Sequence, residues 1–123
     1  MEMEMKKLGF GTMRLPVLNQ EDPAAVDLEQ VCQMVDTFME RGFTYFDTAY
    51  MYHKYESERV VKRALTERWP RERYVLADKL PLSHLKEEAD IERFFREQLE
   101  KCGVAYFAYS ILHNLSRSYY QPD

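Results

Sequence analysis

The stretch Gly42-Phe43-Thr44-Tyr45-Phe46-Asp47-Thr48-Ala49-Tyr50-Met51-Tyr52 decides how the rest of the chain is read. Ahead of it, from Asp27 to Arg41, the residues Leu28, Val31, Val35, Phe38 and Met39 fall on one helical face. Gly42 stands just past that pattern, where a left-handed residue ends a helix. Phe43 to Phe46 is then a short β-rich run, and it ends on an acid, Asp47. A glycine-closed amphipathic helix feeding directly into a short apolar strand is the signature of a βα unit in a parallel sheet.

The same succession recurs twice. Between Ser57 and Arg68, Val60, Val61, Ala64 and Leu65 repeat at helical spacing, with Ser57 as the expected N-cap and Pro70 as the stop. Tyr74-Val75-Leu76-Ala77 follows and leads through Asp78 to Lys79. From about Lys86 to Lys101, Ile91, Phe94, Phe95, Leu99 and Cys102 form the stripe, closed by Gly103, and Tyr109-Ser110-Ile111-Leu112 ends in His113. Leu8 to Thr12 supplies a strand at the start of the chain. The strand ends at Thr12, Asp47, Lys79 and His113 lie 32 to 35 residues apart, one βα unit per step. The mixed charge on the polar faces of the helices reads as solvated surface.

The expected fold class is therefore α/β, with four parallel strands and about three helices. A (β/α)8 barrel takes about 250 residues, and the 123 residues here have room for roughly half of one. A doubly wound nucleotide-binding domain is the alternative, but its phosphate signature is incomplete. Gly9-x-Gly11 is followed by Arg14 where the third glycine belongs, and Leu15-Pro16 stands where a helix should begin.

Composition removes other classes. The chain is 46% apolar and 31% charged with a net charge of −4, so it carries no basic stripe for nucleic acid. The segment Met1 to Lys7 is charged with no apolar run behind it, which excludes a signal peptide, and no run approaches a membrane span. Cys32 and Cys102 have neither zinc nor redox spacing and are expected as buried free thiols. Together these features predict a cytoplasmic protein. His53 and His84 have no ligand partners at metal spacing and are expected on the surface; no metal is expected.

Three ionisable groups of different type, Asp47, Lys79 and His113, each stand at the carboxyl end of an expected strand. In a parallel α/β barrel those ends meet on the face where active sites are built. Tyr52 lies five positions beyond Asp47, in a loop over the same face. A free phenol has a pKa of about 10, and a neighbouring ammonium lowers it by stabilising the phenolate. A carboxylate keeps the ammonium charged, and a neutral imidazole can hydrogen-bond a substrate oxygen. Such a set can protonate a carbonyl oxygen as hydride reaches the carbon. Tyr50 and Tyr55 compete with Tyr52 for the donor role on spacing alone.

At this point a resemblance becomes specific. Leu8-Gly9-Phe10-Gly11-Thr12-Met13-Arg14-Leu15-Pro16, Gly42 to Ala49, Ser57-Glu58, Leu76-Ala77-Asp78-Lys79-Leu80 and Ile111-Leu112-His113-Asn114-Leu115 occur in order, and the chain resembles the N-terminal half of an aldo-keto reductase. The resemblance implies a catalytic tetrad of Asp47, Tyr52, Lys79 and His113, with Tyr52 as general acid and NADPH as hydride donor to a small carbonyl substrate. It implies cofactor contacts from Gly11, Thr12, Met13, Asp47 and Asn114. Residues 1–123 would be a partial reductase domain, truncated after the fourth strand. Ala105 and Ala108 depart from the family's usual aspartates. With half of the barrel missing, weak NADPH binding is expected, together with self-association or pairing with a complementary C-terminal half. A catalytically inactive half-barrel remnant is the alternative.

Overall fold

The computed structural model describes residues 8–113. Four strands, β1 (Gly9–Gly11), β2 (Tyr45–Asp47), β3 (Val75–Pro81) and β4 (Tyr109–His113), form one sheet in the order β1-β2-β3-β4. Every pairing is parallel, as the regular helix-then-strand alternation requires. Register aligns Gly11 with Asp47, Asp47 with Ala77, and Ala77 with Tyr109. One step further along, Lys79 pairs with Ile111 and Pro81 with His113.

Alternation along the strands divides the sheet into two faces. Phe10, Phe46 and Leu76 turn toward the helices and build the core with Val31, Val35, Phe38 and Met39 of α1 (Leu28–Glu40). Phe38 meets Phe10, Phe43 and Phe46 with ring centroids 5.4, 5.1 and 5.0 Å apart, and Tyr74 closes on Phe46 at 6.5 Å. Asp27 caps α1 by accepting from the Gln30 amide at 3.2 Å, and Gly42 leaves it at φ 85°. The opposite face carries Gly9, Gly11, Tyr45, Asp47 and Tyr109, and Tyr109 is 54% exposed. The Tyr45 ring crosses Gly9 so closely that a Cβ there would stand 3.1 Å from Cδ1.

The second helical stretch differs from expectation. It opens as a turn, α2 (Tyr52–Tyr55), continues as α3 (Ser57–Val61), and widens into a π-turn over Lys62–Thr66. Because α2 is a single turn with left-handed φ at His53 and Lys54, the described residues hold three helical stretches, as expected. Ser57 is not an N-cap. Glu56 before it is already helical, and the Ser57 hydroxyl donates to Thr12 Oγ1 and meets Thr48 Oγ1, both at 2.8 Å. The π-turn makes room for the end of α4 (Glu88–Cys102): Thr66 Oγ1 donates to the Cys102 carbonyl at 2.6 Å. Gly103, at φ 71°, lies so near Lys62 that a Cβ would be 2.9 Å from its Cγ.

The buried side of α4 is also displaced from its apolar stripe. Phe94, Gln98, Lys101 and Cys102 are buried, whereas Ile91 is 46% exposed and Phe95 packs sideways on Phe107 at 5.9 Å. Polar contacts to α3 and β3 set this rotation, so the charged residues are not all solvated. Cys102 is buried as expected, but Cys32 is only half-buried. Among the described residues, no helix is long and apolar enough to cross a membrane.

Candidate active site

Asp47 closes β2, Lys79 lies near the carboxyl end of β3, and Tyr52 begins α2. The strand ladder runs past the end of β2: the Thr48 amide donates to the Ala77 carbonyl at 3.0 Å and the Tyr50 amide to that of Lys79 at 3.4 Å. This pairing carries the following loop over β3. Within it, Lys79 Nζ donates to Tyr52 Oη at 2.6 Å and lies 3.5 Å from Asp47 Oδ1. Burial alone would lower the Lys79 pKa, but the bond to Tyr52 and the Asp47 charge outweigh it and hold the ammonium above its usual value. Phenol, ammonium and carboxylate thus line up on the open face of the sheet, an arrangement that can move a proton.

The structure separates the three tyrosines. Tyr50 turns toward α4, where its hydroxyl donates to Glu97 Oε1 at 3.2 Å and its ring packs on Phe94 at 5.2 Å. Burial, and next the Glu97 charge, raise its pKa, which opposes proton donation. Tyr55 points outward to His84, 3.5 Å away. Tyr52 alone of the three has its hydroxyl on Lys79. The turn behind it is strained: His53, Lys54 and Tyr55 have φ of 53°, 51° and 72°. Each left-handed non-glycine residue costs on the order of 1–2 kcal/mol.

His113 ends β4 at the register position of Pro81, two residues beyond the Lys79–Ile111 pair. Gly11 borders Asp47, with an ordinary 3.8 Å between a notional Cβ and Oδ1, and Met13 is 60% exposed. Thr12 is buried with its hydroxyl bonded to Ser57, so only its backbone borders the open face. Asn114 lies outside the described residues.

Beneath Lys79, on the helix side, lies a group that sequence reasoning missed. Glu58 of α3, Asp78 of β3, and Lys101 and Cys102 of α4 come together out of solvent. Lys101 Nζ is 3.0 Å from Glu58 Oε1, and Cys102 Sγ is 3.6 Å from Asp78 Oδ2. Burial and the adjacent Glu58 push the Asp78 carboxyl far above the usual carboxylate range. The Asp78 carboxyl is thus held toward its protonated form beside the Glu58–Lys101 ion pair. Burial and the same carboxyls push the Cys102 thiol up, so it stays protonated. Asp78 Oδ1 accepts from the Lys79 amide at 2.8 Å, and Gln98 Nε2 donates to the Lys79 carbonyl at 2.8 Å. Both backbone groups of Lys79 are thus held. Nothing in the spacing of Glu58, Asp78, Gln98 and Lys101 announces this contact; the Ser57-Glu58 and Asp78-Lys79 pairs were the available signal.

Neither histidine expected on the surface is a plain surface residue. His84 packs between Tyr50, Tyr55 and Phe94, with centroids 5.8 to 6.1 Å apart. His53 is half-buried, with backbone partners on both ring nitrogens.

Comparison with known proteins agrees with this architecture. The aldo/keto reductase family model matches residues 7–122, and the chain belongs to that family. An aldo-keto reductase from Klebsiella pneumoniae, solved with NADPH, superposes with a TM-score of 0.71 at 25% identity, over 89% of this chain and 35% of that one. A holo-form aldo-keto reductase from Bacillus halodurans gives 0.66 at 25% identity, over 85% of this chain and 35% of its own. One from Brucella melitensis shares the fold at 23% identity and a TM-score of 0.61, over 90% of this chain and 38% of that one. No curated protein matches the sequence. The chain therefore spans little more than a third of these relatives, and its four parallel strands are the N-terminal half of their (β/α)8 barrel.

Proposed function

We propose that this chain carries the proton-transfer half of an NADPH-dependent aldo-keto reductase acting on a small carbonyl compound. The observation that carries the reading is Lys79 Nζ at 2.6 Å from Tyr52 Oη with the Asp47 carboxylate behind it. As negative charge builds on the carbonyl oxygen, the Tyr52 hydroxyl gives it a proton. The Lys79 ammonium stabilises the phenolate that remains, and Asp47 keeps Lys79 charged and aimed. His113 would hydrogen-bond the same substrate oxygen, a role carried over from the family resemblance.

The residues at the open face suit the nicotinamide end of the cofactor. Gly11 presents no side chain beside Asp47, and the Thr12 amide is fixed by donating to the Asp47 carbonyl at 3.2 Å. Gly11, Thr12, Met13, Asp47 and, by resemblance, Asn114 would hold it. NADPH, when bound, supplies the hydride to the carbonyl carbon. The test is carbonyl-dependent NADPH oxidation by the chain, alone and reconstituted with the remainder of a barrel, against a Tyr52→Phe control.

A second reading has its own support. β1 and β4 are sheet edges, and the inner face leaves Tyr109 exposed. Residues 1–123 would then be a partial, inactive domain that self-associates or pairs with a complementary half. A cytoplasmic location suits either reading.

A further inference from the structure

The turn that carries Tyr52 is tied to the connection between β1 and α1 by one side chain. His53 Nε2 accepts from the Leu15 amide at 2.9 Å, and Nδ1 lies 2.8 Å from the Pro23 carbonyl oxygen. A backbone amide can only donate and a carbonyl can only accept. The partners therefore fix a neutral ring with its proton on Nδ1. The two anchors are not neighbours. Leu15 is a buried core residue just after β1, whereas Pro23 lies on the far arm of a small antiparallel excursion. That excursion is closed by the Val17–Val26 bridge and by the Leu18 amide donating to the Ala25 carbonyl at 2.8 Å. His53 spans both arms.

We propose that His53 is a positioning residue: a neutral imidazole latch that locks the β1–α1 connection to the turn bearing Tyr52 and so holds the phenol on Lys79. The inference rests on the reading of Tyr52 as proton donor, and three features of the fold support it. His53 is covalently next to Tyr52, so a shift of its backbone moves the phenol directly. The turn is left-handed through His53, Lys54 and Tyr55, a conformation that non-glycine residues leave unless something holds them. A second link, Ser57 Oγ to Thr12 Oγ1 at 2.8 Å, joins the same two segments from the C-terminal end of the turn. The turn that follows Tyr52 is thus tied twice to the β1 side. The β1–α1 connection they hold includes Met13, the residue the cofactor reading places at the nicotinamide.

The test compares the full chain with His53→Gln, His53→Asn and His53→Ala, using site-resolved amide exchange and the Tyr52 ring resonances. A glutamine oxygen reaches about as far as Nε2, and an asparagine oxygen about as far as Nδ1. His53→Gln should keep the Leu15 amide protected, whereas His53→Asn and His53→Ala should exchange it at least about tenfold faster. The Tyr52 ring resonances should stay put in the glutamine variant and move in the other two, with Val35 in α1 unchanged in all. Equal Leu15 protection in all four proteins overturns the latch. Faster Leu15 exchange with unmoved Tyr52 resonances overturns its positioning role. Neither readout needs turnover, so a failed reductase assignment would show itself separately, as an unaffected rate in Tyr52→Phe.

Discussion

The Lys79 ammonium donates to the Tyr52 hydroxyl at 2.6 Å across 27 residues of sequence. The contact forms because the β2–β3 ladder continues through Thr48 and Tyr50 and lays the Tyr52 loop over β3. It is a bond between charged donor and neutral acceptor on the open face, where an arriving carbonyl oxygen would meet the phenol.

Replacing Tyr52 by Phe removes one hydroxyl and leaves the ring in place. In any assembly that shows reductase turnover, the rate should fall by about 10²–10⁴-fold, the usual contribution of general acid–base catalysis. Circular dichroism should stay unchanged. A variant retaining more than about half of the rate would contradict the mechanism.

NADPH binding by the isolated chain should be weak, because on the proposed reading its residues reach only the nicotinamide end, and the relative solved with NADPH is more than twice as long. Calorimetric titration should give a dissociation constant well above about 1 μM. A tighter value would locate the phosphate-binding groups within this half.

The buried carboxyl pair predicts opposite outcomes for two isosteric changes. Asp78→Asn keeps an acceptor for the Lys79 amide and a donor toward Glu58, so stability at pH 7 should change by less than about 1 kcal/mol or rise. Glu58→Gln strands the buried Lys101 ammonium and should cost about 3–5 kcal/mol. The sign of the pH dependence follows from the raised Asp78 pKa. Its stabilising contribution is complete below the ordinary carboxylate pKa and is lost progressively as pH rises toward the folded value. Over that range the wild-type curve should fall by up to about 1.4 kcal/mol per pH unit for this proton, and Asp78→Asn should flatten it. Urea melts at several pH values give the comparison; equal slopes would remove the neutral acid.

Association provides a further check. Among the described residues β1 and β4 are the two edges of the sheet, and Leu8, Phe10, Met34, Phe38 and Phe43 line an apolar groove beside the β1 edge. Size exclusion with light scattering at micromolar concentration should show a dimer or larger species. A monomer that binds no apolar dye would refute that expectation.

Local order was legible in the sequence because it is encoded locally. Apolar residues at helical spacing, Gly42 and Gly103 behind them, and short strands ending on Asp47, Lys79 and His113 place those residues at one edge of a parallel sheet without any tertiary knowledge. The alternation of a strand and the period of a helix are properties of the backbone itself. Which of three tyrosines meets Lys79 was legible only through the family resemblance, since spacing alone does not encode the left-handed turn at non-glycine residues. The rotation of α4 was not legible, since it follows its contacts through Gln98 and Lys101 rather than its apolar stripe. Glu58, Asp78 and Lys101 read as charged residues of solvated helices and a strand end. Tertiary docking alone buries them against one another, because burial is decided where three elements meet and each element carries only its own part of the network.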